Sequence, residues 1–91
     1  MNKNQNRNKN KIVSDDILKQ FAYNLYFLMI TNNMTYTDIS DAIGVHPETI
    51  RNWTLAKNTP NVSAIIKLSK LFNIKADQLI GLEKINNQYC K

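Results

Sequence analysis

The segment DAIGVHPETIRNW, residues 41–53, contains two helix-interrupting residues close together. Gly44 favours the left-handed conformation in which many helices end. Pro47 suits the first turn of a new helix, where its missing N–H costs nothing, and Glu48 behind it suits the positive end of the helix dipole. The sequence therefore predicts a helix that ends at Gly44, a tight turn, and a second helix that begins at Pro47.

The helix before this turn has its own start signal. Thr35 with Asp38 three residues later resembles a capping box, although Asp is shorter than the usual Glu or Gln. We expect the helix that follows to turn Ile39, Ala42 and Ile43 toward the core.

Residues 39–53 meet several requirements of a helix-turn-helix. Ile50 and Trp53 are three residues apart and face the core, Ser40 supplies a small residue toward the partner helix, and Gly44 supplies the turn. In such a unit the exposed face of the second helix can lie in a DNA major groove. The alternative is an ordinary helical corner inside a small bundle.

The flanking sequence predicts three more helices. They span residues 14–33, 61–73 and 76–80. Ser14 and Asn61 are the candidate N-caps, while Asn73 and Gly81 are candidate helix ends. Apolar residues at three- and four-residue steps predict the buried stripes: Ile17, Phe21, Leu25, Leu28 and Met29 in the first helix, and Val62, Ile65, Leu68 and Phe72 in the second.

Length and composition predict a single all-α domain. The chain has 91 residues, of which 43% are hydrophobic and 21% charged, with two glycines and two prolines. No apolar run approaches the roughly 18 residues of a membrane span. The basic start, MNKNQNRNKNK, lacks the apolar stretch of a secretory signal, so we expect a cytoplasmic protein.

The net charge of +5 is concentrated at the N-terminus. The first fourteen residues contain no acid and four basic side chains: Lys3, Arg7, Lys9 and Lys11. We expect a disordered basic arm over 1–13, a folded domain over 14–82 and a tail over 83–91. Such an arm is suited to touching nucleic acid, although solubility or an AT-rich genome would equally explain its composition.

Candidate catalytic and metal-binding groups are few. The chain has one histidine, His46, and one cysteine, Cys90, and it has no Gly-rich phosphate loop. Cys90 lies next to the C-terminus, where we interpret it as a thiol without a redox role. We expect neither enzymatic activity nor a metal or other cofactor.

Three stretches resemble the Cro/CI-type, or XRE, family of phage-repressor-like helix-turn-helix proteins. They are MTYTDISDAIGVHPETIRNW, KNTPNVSAIIKLSKLFNI and ADQLIG, and the resemblance covers residues 17–81. It implies a compact five-helix, lambda-repressor-like domain that binds double-stranded operator DNA, usually an inverted repeat, as a homodimer. The fifth helix with Leu82 to Ile85 is the dimer surface that family habit suggests.

The resemblance also implies which residues meet DNA. The candidate base contacts are His46, Pro47, Glu48, Thr49 and Asn52. The candidate phosphate contacts are Tyr36, Thr37, Arg51, Lys57 and Asn58. Alternatives remain open for three of them: His46 as an ordinary turn residue, Glu48 as a stabiliser of the helix N-terminus, and Arg51 as a solvated side chain.

The sequence departs from the family pattern at several positions. Tyr36 and Pro47 stand where the family commonly has Gln, Thr54 where it often has an acid, and Ala56 where it often has Gly. Lys75 replaces the usual capping hydroxyl before the last helix. Because two familiar contacts are missing, the operator sequence does not follow from the family.

Four aromatic residues need separate interpretations. Trp53 could stack on single-stranded bases, but its helical phase places it beside Ile50 in the core. Tyr23, Tyr26 and Phe27 lie away from the buried stripe of the first helix. They either cover a partner or widen the buried arc.

These observations favour a sequence-specific transcriptional regulator, in particular a repressor that reads the major groove with the helix over 46–55. An antitoxin or adaptor-type protein-binding module with the same fold is the main alternative. An excisionase-type architectural protein is a third possibility.

Overall fold

The computed structural model describes residues 15–85, in which the chain forms five α-helices and no strand. The helices are α1 (Asp15–Thr31), α2 (Tyr36–Ile43), α3 (Pro47–Thr54), α4 (Val62–Phe72) and α5 (Ala76–Leu79). The predicted all-α fold is therefore confirmed. The predicted cap Ser14, the basic arm and Cys90 lie outside the described residues. Within 15–85 no helix has both the length and the apolar character to cross a membrane.

Each of the five helices is followed closely by a residue with a positive φ angle. The φ angles are 56° at Asn33, 80° at Gly44, 59° at Ala56, 58° at Asn73 and 94° at Gly81. Asn and Gly adopt this conformation at low cost, so Ala56 is the exception among them. The predicted helix ends at Gly44 and Asn73 are confirmed.

The helix starts follow the predicted caps. The Thr35 hydroxyl accepts a hydrogen bond from the Asp38 backbone N–H at 3.0 Å, and the Thr35 N–H donates to the Asp38 carboxylate at 2.9 Å. Asp therefore completes a capping box despite its shorter side chain. Asn61 caps α4 by accepting from the Ala64 N–H at 2.8 Å. At Lys75, where a hydroxyl is missing, the backbone N–H donates to the Gln78 side chain instead.

One hydrophobic core joins all five helices. Each helix contributes one side chain with no exposed surface: Leu25, Ile39, Ile50, Leu68 and Leu79. Burying a side chain of this size contributes about 1.5–3 kcal/mol, so the shared core holds even the short α5 in place.

Ile17 is not part of the buried stripe of α1, contrary to the sequence-based expectation. It is 41% exposed, and Leu18 packs against the core in that turn. At about 100° per residue, Leu18 lies about 20° from Leu25 around the helix axis, whereas Ile17 lies about 80° away. Ile17 is therefore at the edge of the buried arc.

Val62 and Ala42 are also exposed, although both were expected to face the core. Val62 lies about 120° from Leu68 around the axis of α4, and Ala64 fills the buried position of that turn instead. In α2 the buried arc runs from Ile39 to Ser40, and Ala42 lies about 60° beyond the Ile39 edge of that arc.

Asn24 is a buried polar residue that connects α1 to α5. Its side-chain amide donates to the carbonyls of Gln78 and Leu79, both at 3.1 Å, and its carbonyl oxygen accepts from Gln20 at 3.0 Å. These bonds give the Gln78 and Leu79 carbonyls a partner at the end of α5, whereas the turn that follows satisfies the Asp77 carbonyl through the Leu82 and Glu83 N–H groups. Gly81 adjoins this site at φ 94°, where a Cβ would lie 2.5 Å from Cγ of Gln20.

Trp53 anchors α3 in the core. It is buried, and its ring meets Phe21 of α1 edge to face, with centroids 6.4 Å apart and an interplanar angle of 71°. The expectation that Trp53 belongs to the core is confirmed. A base-stacking role is excluded by its burial.

Replacing Trp53 by Ala should lower the free energy of unfolding by about 3–5 kcal/mol, because the substitution leaves a cavity under α3. Urea unfolding followed by far-UV circular dichroism measures this change. Val62→Ala is the matched control, since an exposed residue should change stability by less than about 0.5 kcal/mol. Equal losses in the two variants would contradict the burial of Trp53.

Candidate nucleic-acid interface

The turn between α2 and α3 is held by hydrogen bonds that satisfy its backbone. The Gly44 N–H donates to the Ser40 carbonyl at 2.8 Å, and the Ser40 hydroxyl donates to the Val45 carbonyl. The Lys67 ammonium of α4 reaches the Ile43 carbonyl at 3.4 Å. Ser40 thus does more than allow close approach, because its hydroxyl also closes the turn that sets the angle between the two helices.

The burial of Ile50 and Trp53 determines which face of α3 is outward. Glu48 and Arg51 are exposed, and Thr49 and Asn52 are half-buried. No described residue forms a hydrogen bond with the Asn52 side chain, so its amide can donate and accept toward a ligand. This outward face contains the residues that the sequence predicted to read bases.

His46 is the N-cap of α3. Its Nδ1 accepts a hydrogen bond from the Glu48 backbone N–H at 3.0 Å, which satisfies one of the free donors at the helix start. The ring is exposed, and its Nε2 points away from this bond. Any contact of His46 with DNA therefore falls to Nε2, while Nδ1 stabilises the helix.

Glu48 and Arg51 form an ion pair across one turn of α3. Arg51 Nη1 lies 3.3 Å from Glu48 Oε2, and both side chains are about half exposed, at 49% and 58%. Exposed pairs of this spacing contribute only about 0.3–0.5 kcal/mol. The pair is therefore weak enough for either partner to exchange it for a stronger one.

Tyr36 joins the start of α2 to the end of α3. Its hydroxyl lies 3.2 Å from Thr54 Oγ1, which in turn donates to the Arg51 carbonyl at 2.7 Å. Tyr36 is half-buried, and its ring packs against the core. Thr54 is not among the contact residues predicted from the sequence, because residues 36 and 54 are far apart in sequence and neither carries a local motif that indicates their contact.

The loop after α3 is a Schellman motif with alanine at the left-handed position. The Lys57 N–H donates to the Asn52 carbonyl at 2.9 Å, and the Ala56 N–H donates to the Trp53 carbonyl at 3.1 Å. The family-typical Gly is absent, yet Ala56 keeps the loop geometry at φ 59°. Lys57 and Asn58 follow directly and are exposed.

The predicted contact residues within 15–85 thus occupy three segments of one motif. Tyr36 and Thr37 begin α2, residues 46–52 form the cap and outward face of α3, and Lys57 with Asn58 follows its end. Four of them already have side-chain hydrogen bonds within the protein: Tyr36, His46, Glu48 and Arg51. The four basic residues of the arm lie outside the described range.

Replacing Ala56 by Gly should stabilise the protein by about 0.5–1 kcal/mol. The left-handed conformation costs an alanine about 1–2 kcal/mol, which exceeds the entropy that a glycine adds to the unfolded chain. Thermal unfolding of both forms measures the change. Ala42→Gly is the control with the opposite sign, because an exposed position inside α2 should lose about 0.5–1 kcal/mol. A destabilised Ala56→Gly variant would contradict the left-handed loop.

The Tyr36 and Thr54 hydroxyls should show a coupling energy of about 0.5–1 kcal/mol in a double-mutant cycle of Tyr36→Phe and Thr54→Val. The bond from Thr54 to the Arg51 carbonyl is lost in both Thr54→Val backgrounds and so cancels from the cycle. Urea unfolding of the four proteins gives the coupling. Additive effects would show that the two hydroxyls do not interact in solution.

The comparison with protein families identifies the chain. A family model described as Helix-turn-helix matches residues 25–79, which is more than half of the chain and includes α2 to α5 entirely. Comparison with curated proteins gave no match, and comparison with solved structures gave none either. The chain belongs to the Cro/CI-type (XRE) helix-turn-helix family, a family of DNA-binding regulators.

Proposed function

We propose that this protein is a sequence-specific transcriptional repressor that reads the DNA major groove with residues 46–55. The observation that carries this proposal is the outward face of α3, where the Asn52 amide has no hydrogen-bond partner among the described residues. An amide fixed on a rigid helix and left open in this way is suited to bidentate recognition of a base edge.

The outward face offers different chemistry to different bases. The Asn52 amide can donate to N7 and accept from N6 of adenine, whereas the Glu48 carboxylate can accept from N4 of cytosine. Thr49 presents a hydroxyl and a methyl group, and the methyl can contact the methyl of thymine. Pro47 and His46 contact the bases at the start of the helix, where Nε2 of His46 can form a hydrogen bond because Nδ1 is already bonded to the Glu48 N–H.

The flanking segments position the domain on the phosphates. Thr37, Lys57 and Asn58 are exposed on either side of α3, where phosphate contacts fix register without reading sequence. Arg51 reaches a phosphate by giving up its weak pair with Glu48. The Thr54 hydroxyl donates its one hydrogen to the Arg51 carbonyl, so the Tyr36 hydroxyl is the donor in the Tyr36–Thr54 bond. Tyr36 therefore reaches a phosphate only by giving up its bond with Thr54.

A single motif of this size buries too little surface for high specificity. We propose a homodimer on an inverted repeat, with half-sites one helical turn, about 34 Å, apart. Bound over a promoter, such a dimer represses by occupying the DNA that transcription requires.

Selection of binding sites from random duplex DNA at physiological salt tests this function. We expect enrichment of an inverted repeat whose half-sites are about one helical turn apart. Weak, salt-sensitive binding without enrichment would refute sequence-specific recognition by the protein on its own.

The alternative is an antitoxin or adaptor-type module whose main partner is another protein. The exposed aromatic side chains of α1, Tyr23 and Tyr26, favour it, since large apolar groups on a surface often mark a protein contact. In this case the random-site selection would show no enrichment until that partner is added.

Replacing Asn52 by Ala should weaken binding to the selected site by about 1–3 kcal/mol and leave binding to random DNA nearly unchanged, because Asn52 contacts a base edge. Fluorescence anisotropy titrations on the two DNAs measure both affinities. Lys57→Ala is the contrasting variant, because loss of a phosphate contact should weaken both complexes alike and reduce the salt slope by about 1. If Asn52→Ala weakens both DNAs equally, Asn52 does not read a base.

Deleting residues 1–11 should flatten the salt dependence of DNA binding. The deletion removes four basic side chains, and each phosphate that a charge neutralises adds about 0.9 to the slope of log K against log salt. Titrations between 50 and 200 mM salt, about a fourfold range, give the slopes of both proteins. An unchanged slope would show that the arm makes no phosphate contact.

A further inference from the structure

The face of α1 opposite the core carries three large exposed apolar side chains, and the half-buried Phe27 borders them where it packs against the core. We define the α1 stripe as Lys19, Tyr23, Tyr26, Phe27 and Ile30. Tyr23 is 66% exposed, Tyr26 51% and Ile30 59%. The Tyr23 and Phe27 rings lie nearly parallel, with an interplanar angle of 17° and centroids 6.4 Å apart.

The α1 stripe continues onto the end of α3. Leu55 is 46% exposed, and together with Tyr23 and Tyr26 it lines a shallow groove of about 370 Å³. The floor of this groove is Ala22, whose small side chain leaves room for a group from outside. The surface is therefore an apolar strip with a depression along one edge.

We propose that the α1 stripe binds the α1 stripe of a second copy of this chain in an antiparallel arrangement. The inference rests on the homodimer of the proposed function and names its contact surface. The two-fold axis runs between the two copies of α1, perpendicular to both, and passes each helix midway between Tyr23 and Tyr26. It therefore places Tyr23 of each copy against Tyr26 of the other. The same axis places Lys19 against the last turn of the opposite helix.

The charges of the stripe complement one another in this arrangement. The last turn of α1 contains no basic residue, so no positive charge of its own compensates the negative end of the dipole. Thr31 and Asn32 donate only neutral hydrogen bonds there, to the Leu28 carbonyl. Lys19 of the second copy supplies a positive charge there. Asp16, one turn before Lys19, then lies opposite Asn33, whose side-chain amide can donate to a carboxylate. Each contact occurs twice because of the symmetry.

The area available matches a weak dimer. The exposed parts of the stripe and Leu55 amount to about 400–500 Å² per copy, since a buried aromatic residue covers about 150–250 Å². Stable complexes bury about 800 Å² per partner, and weak ones less than about 600 Å². We therefore expect a dimer that forms at high protein concentration and is strengthened when two adjacent half-sites hold both copies.

The family resemblance suggests a different dimer surface, α5 with Leu82 to Ile85, but this surface exposes less apolar area than the α1 stripe. Leu82 is 72% exposed, but Ile85 is half-buried against the core of its own chain. Glu83 lies 3.5 Å from the Lys75 ammonium, and the Lys84 carbonyl accepts from Gln78, so both groups are already engaged. One exposed leucine contributes much less to association than Leu55 together with the three exposed apolar residues of the α1 stripe, Tyr23, Tyr26 and Ile30.

The antiparallel arrangement is also compatible with DNA binding by both copies. Leu55 borders one long edge of the stripe, and Lys57 and Asn58 follow it directly. A two-fold axis perpendicular to α1 in the plane of contact keeps that edge on the same side in both copies. Both phosphate-contacting loops therefore face one side of the dimer.

Sedimentation equilibrium of the full chain without DNA, from about 10 µM to 1 mM, tests the proposal in the concentration range expected for an interface of this size. We expect a reversible monomer–dimer equilibrium with a Kd within this range. Tyr26→Glu should raise the Kd at least tenfold, because two carboxylates then meet near the axis. Lys19→Glu should raise it roughly three- to thirtyfold, since the contact with the helix end occurs twice.

Leu82→Glu is the matched control on the other surface and should leave the Kd within twofold of the wild type. Circular dichroism spectra and melting curves confirm that each variant is folded. A wild-type chain that stays monomeric at 1 mM would overturn the proposal, and the face would then belong to a different protein. Dissociation by Leu82→Glu but not by Tyr26→Glu would overturn it as well. Because no DNA is present, the result is independent of whether the protein recognises an operator.

Discussion

The rotation of α3 about its own axis depends on the burial of Ile50 and Trp53, and the surface that we propose faces DNA depends on that rotation. A turn of one residue, about 100°, would bring Trp53 to the surface and Asn52 into the core. Exposing Trp53 forfeits about 3 kcal/mol of burial, and burying the Asn52 amide without partners costs a further 1–3 kcal/mol or so. The core therefore selects one face of α3 for the outside, and the Trp53 contact with Phe21 transmits this constraint to α1.

The parts of the fold that depend on short-range chemistry could be predicted from the sequence. The Thr35–Asp38 capping box, the Gly44 turn, the Pro47 start and the Asn73 end each involve residues within a few positions of one another. The phase of α3 followed from two apolar residues three apart. The expected buried residues were wrong at Ile17, Val62 and Ala42, which lie at or beyond the edge of a buried arc.

The interactions between distant segments could not be predicted in the same way. The Tyr36–Thr54 contact joins residues 18 apart, and Asn24 reaches carbonyls 54 and 55 residues further along the chain. Nothing in the local sequence shows whether the Tyr36 hydroxyl forms a hydrogen bond with a threonine of the same chain or with a phosphate. The contacts of the buried Asn24 could not be predicted either. Its position on α1 shows that it is near the core, but not which backbone carbonyls its amide reaches. The sequence allowed two interpretations of Tyr23, Tyr26 and Phe27: contact with a partner, or a wider buried arc on α1. The exposure of Tyr23 and Tyr26 excludes an arc that buries all three.

The ion pair of Glu48 with Arg51 suggests how an acidic residue can stand in a surface that we propose meets DNA. Without DNA, Arg51 offsets the Glu48 charge at a distance of 3.3 Å. In the proposed complex Arg51 turns to a phosphate, and Glu48 then loses its partner and is repelled by the surrounding phosphates unless a base donates to it. A cytosine N4 at the correct position restores a partner, whereas any base without a donor there leaves the carboxylate unpaired at a cost of more than 1 kcal/mol. The Arg51–phosphate contact is available on every DNA sequence, whereas the cost of an unpaired Glu48 carboxylate arises only where no base donates to it. The weak pair would thus link phosphate binding to discrimination between bases.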